Sequence, residues 1–174
     1  MNESAPSRRA RGARGGDIPR GALIRALDEA HRGPAWHGPA LLVTLRHCSV
    51  DEACHRIAPG RNTIWELVLH AAYGKHRVRV RLTGDRRRFP RALARDWWPV
   101  APDPTEAQWN DDLALLDDSH RWLVEAVAEA EDARLARRRP GRRHTMAEEI
   151  LGIALHDTYH GGQITLIRKL FQAR

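Results

Sequence analysis

Apolar positions along this chain recur at helical rather than strand spacing. Leu23, Ile24, Leu27 and Ala30 share one face of a segment from Ile18 to His31, and Gly33-Pro34 breaks it. Pro39 to His47, with Leu41, Leu42 and Leu45, predicts a second short piece; Pro39 suits its first turn, where a missing N–H is no loss. One further turn of helix is expected from Asp51 to Ile57. Thr63 to Leu82 reads as the second long helix, with Asn62 or Thr63 as its cap and Glu66 at capping-box distance from Thr63. The third runs from Thr105 to Leu135 on Trp109, Leu113, Leu116, His120, Leu123 and Val127, with Pro102 and Pro104 keeping it from starting earlier. The last, Thr145 to Phe171, carries Ile153, His156, His160, Ile164, Ile167 and Phe171 on one stripe. No segment alternates as a strand would, and no internal repeat is present.

The connection from Thr83 to Pro104 is long and bears prolines. Antiparallel neighbours need only a few linking residues, whereas a crossover needs many. Fully extended, this segment reaches ~70 Å, against ~30 Å for a 20-residue helix. The pattern therefore predicts an all-α four-helix bundle with a long crossover between helices two and three, and Trp97 and Trp98 are expected to pin the crossover onto the bundle.

Histidines interrupt two of the apolar stripes. His156 and His160 are four apart on the last helix, which puts both rings on one face with Cβ atoms ~5–6 Å apart. His70 falls in the stripe Ile64, Leu67, His70, Ala71, Gly74, Val78 of the second helix. A buried imidazole without a partner costs about 1–3 kcal/mol, and a metal ion supplies partners to several at once. Three histidines directed inward from two helices match the way bundles build metal sites, so His70, His156 and His160 are the expected ligands. The alternative is core histidines bonded to carbonyls or carboxylates. His120, on the inner stripe of the third helix, is a candidate pocket residue or a satisfied core histidine. His76 falls well round the second helix among arginines and reads as a surface residue. Asp157 and Glu66 are candidates to orient ligand rings. Gln163 either reaches the pocket or bonds across helices, and Tyr159 is expected to pack between helices with its hydroxyl bonded.

Three stretches carry a family resemblance: Pro34-Ala35-Trp36-His37-Gly38-Pro39, Ile64-Trp65-Glu66-Leu67-Val68-Leu69-His70, and the run from His156 to Ile164. In order and spacing they resemble the DinB/YfiT-like superfamily of metal-binding four-helix proteins, from about Ile18 to the C-terminus. The resemblance implies a crossover bundle and a divalent metal held by one histidine of the second helix and two of the last, here His70, His156 and His160. It also implies that Trp36 and His37 lie near the pocket mouth. The chain departs from the family at Gly161, where members often carry a basic residue, and at Tyr159, where some carry histidine. Similar proteins include thiol S-transferases that use bacillithiol or mycothiol, and a mycothiol-dependent isomerase.

Length and composition fit one domain, 17–174, preceded by a tail. Met1 to Gly16 contains four arginines, one glutamate and no large aliphatic side chain beyond Met1, so it supplies +3 of the formal +7 and is expected to be disordered. Its arginines are followed by no apolar core and do not read as a secretory signal. No stretch approaches the ~20 apolar residues of a membrane span. Two cysteines, Cys48 and Cys54, suggest no disulfide framework and suit a reducing cytoplasm. A competing metal site from His47, Cys48, Cys54 and His55 is conceivable, but buried cysteines and an exposed His55 are the simpler expectation. Arginines cluster at Arg86–Arg88 and at Arg137–Arg139 with Arg142 and Arg143. No aromatic platforms interleave them, so they read as solvated loops and nucleic acid is disfavoured.

Three neutral imidazoles would leave a divalent ion with open positions, as in catalytic rather than structural sites. Zinc and nickel head the candidates, with manganese and iron behind. The leading functional expectation, drawn from the resemblance, is a metal-dependent transferase that activates a small thiol, or a water, toward an electrophile. The alternatives are a metal-binding stress-associated protein without turnover and a basic nucleic-acid-binding protein. A homodimer through exposed Trp or Leu of helix one is also expected to be open to the chain, and no membrane partner is.

Overall fold

Three long helices each begin at a threonine. The side chains of Thr63, Thr105 and Thr145 accept from the N–H groups of Glu66, Gln108 and Glu148, and each of those side chains bonds back to the threonine N–H. Such a reciprocal box satisfies two of the N–H groups a helix start leaves over, and an N-cap contributes about 1 kcal/mol. The computed structural model describes residues 18–85, 87–91, 98 and 103–174. Within them the helices are α1 (Arg20–His31), α2 (Leu41–Thr44), α3 (Val50–Cys54), α4 (Ile64–Thr83), α5 (Glu106–Glu129), α6 (Asp132–Leu135) and α7 (Met146–Gln172). No strand occurs among the described residues beyond one isolated bridge, Arg138 to Thr145. The protein is all-α, as its apolar periodicity predicts.

The short pieces expected over Pro39–His47 and Asp51–Ile57 are trimmed to Leu41–Thr44 and Val50–Cys54, and the largest boundary difference falls in the third long helix. The helix expected to run unbroken to Leu135 ends at Glu129, where Ala130 turns extended, and α6 follows. Acidic residues crowd this end, with Glu129, Glu131 and Asp132 close together, and negative charge is unfavourable at a helix C-terminus but favourable at an N-terminus. The break gives each role its place: Asp132 lies in the first turn of α6. Arg134 then donates to the carbonyls of Arg81 and Leu82, closing the end of α4.

The apolar core comes in two halves. One joins Ile64–Ala72 of α4, Trp109–Leu116 of α5, Ile164 and Ile167 of α7, and α2 and α3; the other joins Leu23–Ala30 of α1, Val78 and Leu82 of α4, Leu123 and Val127 of α5, and Met146–Ala154 of α7. The starts of α4 and α5 thus share one half and their ends the other, so the two run alongside in the same direction while α7 runs against them. Tryptophans anchor the first half: Trp65 donates to Asp112 Oδ2 (2.8 Å), Trp109 donates to the Cys48 carbonyl (3.0 Å), and their rings meet at 5.1 Å. Between the halves lies a polar layer, made by His70 and Lys75 of α4, His31 of α1, His120 of α5, and His156, Asp157 and His160 of α7. Half of the connection between α4 and α5, including Arg86, Trp97 and Pro102, lies outside the described residues, as does the basic tail. Trp98 is buried against Tyr73 and Phe89 and so does pin the connection to α4. Among the described residues, no helix is long and apolar enough to cross a membrane.

Candidate metal centre

α4 and α7 pack beside Gly74, where an added Cβ would stand 3.6 Å from both His156 Cε1 and Ile153 Cδ1. One turn before Gly74, His70 faces the same side, and on α7 the four-residue step from His156 to His160 keeps both rings on that face. The three side chains converge. His156 Nε2 is 3.0 Å from His70 Nε2 and 3.1 Å from His160 Nε2. The rings are mutually inclined, by 39° between His70 and His156 and by 83° for His160 against each. Inclined rings can aim their in-plane lone pairs at one point. Four-coordinate zinc–imidazole bonds of ~2.0–2.1 Å imply nitrogen separations of ~3.3 Å, close to those observed.

Protonation favours a cation there. His160 Nδ1–H donates to Gln163 Oε1 at 2.6 Å, which leaves Nε2 as the lone pair facing the other two histidines. Gln163 is held in turn, its Nε2 donating to the Tyr159 hydroxyl at 3.1 Å. Burial, followed by the neighbouring His160 and His70, lowers the pKa of His156 to about 4. Burial also lowers His160, against the Gln163 hydrogen bond that raises it. Neutral rings at neutral pH are what a metal requires. His70, His156 and His160 form a group that could hold a metal ion.

A second group lies deeper. His31, His120 and Asp157 are fully buried and also place ligand atoms close together. Here the rings of His31 and His120 stack, with centroids 4.0 Å apart and planes 15° apart. Planes so nearly parallel meet far beyond bonding range, so one ion cannot lie in both. Each ring is anchored outward: His120 Nε2–H donates to Asp28 (2.9 Å) and His31 Nε2–H to Asp117 (3.3 Å), which also pairs with Arg32. Inside, the fully buried Lys75 ammonium donates to both oxygens of Asp157. Burial alone would raise the Asp157 carboxyl, but Lys75 and His31 outweigh it and hold it below the usual range. Lys75 is itself pushed down by burial, against the pull of Asp157.

Several expectations change. His120 belongs to this second group and not to the three-histidine group. Trp36 is 93% exposed and meets the exposed His37 edge-on at 6.2 Å; neither joins either cluster. Asp157 turns toward Lys75 and orients no ligand ring, while Glu66 caps Thr63 and pairs with Arg56. That orienting task falls to Gln163. Tyr159 is 63% exposed rather than packed between helices. His76 is buried, against Phe89 and Tyr73, rather than on the surface. His47, Cys48, Cys54 and His55 make no metal-holding group among the described residues; burial, Glu52 and other neighbours push the Cys48 thiol up to about 12, which leaves it protonated. Phe89 does stand among Arg87, Arg88 and Arg91, and several arginines in and beside these clusters are paired with acids. Arg81 and Arg139 share Glu149, Arg79 and Arg87 share Asp85, and Arg91 holds Asp112.

Lys75 and His31 were not singled out from the sequence, although the signal was there. Ala72, Lys75, Val78 and Leu82 step by three and four, and Leu23, Leu27 and His31 step by four. A lysine in a core register is a buried ion pair to be located.

No curated protein and no solved structure gave a match to the chain. The model of the DinB superfamily matches residues 35–164, a span that includes α2 to α6, α7 as far as Ile164, and all three histidines of the candidate centre. On that match the chain belongs to the DinB superfamily.

Proposed function

We propose that the protein holds a divalent metal ion on Nε2 of His70, His156 and His160 and is a transferase acting on a low-molecular-weight thiol, with water as the alternative nucleophile. The convergence of three imidazole nitrogens, with separations of 3.0 and 3.1 Å, carries this reading. Imidazole donors suit zinc and nickel first, and manganese or iron after them. When bound, such an ion supplies Lewis acidity that lowers the pKa of a thiol or water in its open positions. The chain's own residues supply orientation: Gln163 fixes the His160 tautomer, and burial keeps His156 unprotonated. The group contains no carboxylate, and Asp157, the nearest in sequence, is engaged by Lys75. A group with no carboxylate base among the described residues is better matched to a thiol, whose pKa is already near 8.5, than to water.

Metal content per chain, measured by inductively coupled plasma mass spectrometry on wild type and on His156→Ala/His160→Ala, tests the first half. Near-stoichiometric metal that disappears in a still-helical variant is expected. Wild type that takes up no metal after incubation with zinc, nickel or manganese sinks the reading entirely. Metal-dependent conjugation of a small thiol to an electrophile, lost in His70→Ala, tests the second half; stoichiometric metal without conjugation would leave a binding protein.

A further inference from the structure

α7 is apolar on two sides. Its inner side forms the core and the histidine group, and its outer side carries Leu155, Tyr159, Leu166 and Leu170, which are 65, 63, 57 and 47% exposed. With Gly152 and Gly162 these make a seam, 152, 155, 159, 162, 166, in steps of three and four. From Ile150 to Ile167 the only Asp, Glu, Lys or Arg is Asp157, which is buried. A helix apolar all round is ordinarily covered all round.

The two glycines add an independent observation. Each sits in the helix interior, where glycine costs about 1 kcal/mol relative to alanine. A Cβ at either would meet nothing within 4 Å, so nothing among the described residues requires them. Close approach of another backbone would.

We infer that this face packs antiparallel against α7 of a second copy of the chain, about a two-fold axis between His160 and Gly161. In that register Tyr159 lies over the partner's Gly162 and Gly162 under the partner's Tyr159. Leu155 meets the partner's Leu166, and Lys169 lies by the partner's Gly152. The seam is thus self-complementary, large against small, as a two-fold interface requires. Charge agrees. Two chains of net charge +7 repel, and the uncharged seam lets them meet without like charges opposed. At its ends the basic Lys169 comes toward the acidic first turn that holds the partner's Glu148. Covering segments from the same chain are poorer candidates. Met1–Gly16 lacks large aliphatic side chains beyond Met1, and Trp98 commits the α4–α5 connection to Tyr73 on α4. The interface would cover Tyr159, whose hydroxyl receives Gln163 and through it steadies His160. This interface differs from the dimer expected through helix one, whose Leu23 and Leu27 are wholly buried.

Sedimentation velocity on the full chain tests this. Wild type is expected to be dimeric at micromolar concentration. Leu155→Glu/Leu166→Glu should raise the dimer dissociation constant about 100-fold or more with helicity unchanged. Gly162→Arg, which enters open space in the monomer, should also give a monomer, with no loss in thermal midpoint. Deleting residues 1–16 should leave the dimer intact. Tyr159→Cys chains should cross-link through a short bis-maleimide, whereas Lys169→Cys chains, ~25 Å apart along the axis in this register, should not. A monomeric wild type, a dimer undiminished in both seam variants, loss of the dimer with the tail, or equal cross-linking at both positions would each overturn the proposal.

Discussion

The rings of His31 and His120 lie face to face at 15°, whereas His70 and His156 are tilted by 39° and His160 stands at 83° to both. The first pair turns its Nε2–H groups outward onto Asp28 and Asp117; the second group turns its Nε2 atoms inward onto one another. Both clusters gather groups able to ligate a metal, and both occupy the polar layer that divides the apolar core. They differ in the source of positive charge. In the deeper cluster a cation is covalently present, as the Lys75 ammonium on Asp157. In the other, three imidazoles face one another, and among the described residues the group has neither lysine nor carboxylate. Ligand-atom proximity therefore does not distinguish a metal site from an internal salt bridge. Ring orientation and charge balance do.

The strongest way to break this comparison is to remove the built-in cation. Lys75→Met leaves Asp157 a buried, unpaired carboxylate, and losing one partner of a buried pair costs about 3–5 kcal/mol. The network ties α1, α4, α5 and α7 together, so the loss should be global. Urea unfolding should show it, and Lys75→Met/Asp157→Leu should regain most of it because the stranded charge is gone. A single variant as stable as wild type would mean that Asp157 finds another cation.

Acid should act on both clusters at once. Burial, the largest cause for each, holds His120 and His156 at about 4, against ~6.5 for a free histidine. With the folded pKa below the unfolded one, the unfolded chain binds more protons between these values. Stability is then fully present above pH ~6.5 and is lost as pH falls toward 4. Each group contributes at most about 1.4 kcal/mol per pH unit, less for partial exposure. Urea midpoints of the metal-free protein should fall over this window, and less steeply in His156→Ala. Bound metal should offset the His156 share and leave that of His120. Flat midpoints from pH 7 to 4.5 would contradict the burial account.

How much of this was readable in the sequence depends on whether periodicity or geometry decided the outcome. The long helices, their threonine caps and the triad His70, His156 and His160 follow from steps of three and four, because a shared helix face is a one-dimensional property. The break at Ala130 did not follow, since Glu129, Glu131 and Asp132 prefer opposite helix ends and only the tertiary path of Arg134 onto α4 resolves them. His120 was recognised as inward-facing but not assigned to a cluster, because its partner His31 lies on another helix. Asp157 and Gln163 were near misses for the same reason: sequence gives their angle on α7, not which neighbour stands at that angle. Trp36 and His37 entered through resemblance alone, and the fold leaves them in solvent.

The smallest effects should come from the support of His160, where the comparison can be sharpened without touching a ligand or the salt bridge. Gln163 Oε1 accepts the Nδ1 proton at 2.6 Å, and the Tyr159 hydroxyl accepts from Gln163 Nε2 at 3.1 Å. Removing a partner that orients a metal-bound imidazole typically lowers metal affinity about 10–100-fold. Gln163→Leu should therefore weaken metal binding within that range in a competition titration with a chromophoric chelator. Its metal-free stability should stay within about 0.5 kcal/mol of wild type, since the side chain is half-exposed. Tyr159→Phe removes only the outer link, leaves the Gln163–His160 bond in place, and should weaken binding by less than about tenfold. A ranking with Gln163→Leu below Tyr159→Phe and both below wild type, at constant fold stability, is the signature of a relay acting on the tautomer of one ring. Equal losses in affinity and stability would instead place Gln163 and Tyr159 among ordinary packing residues of α7.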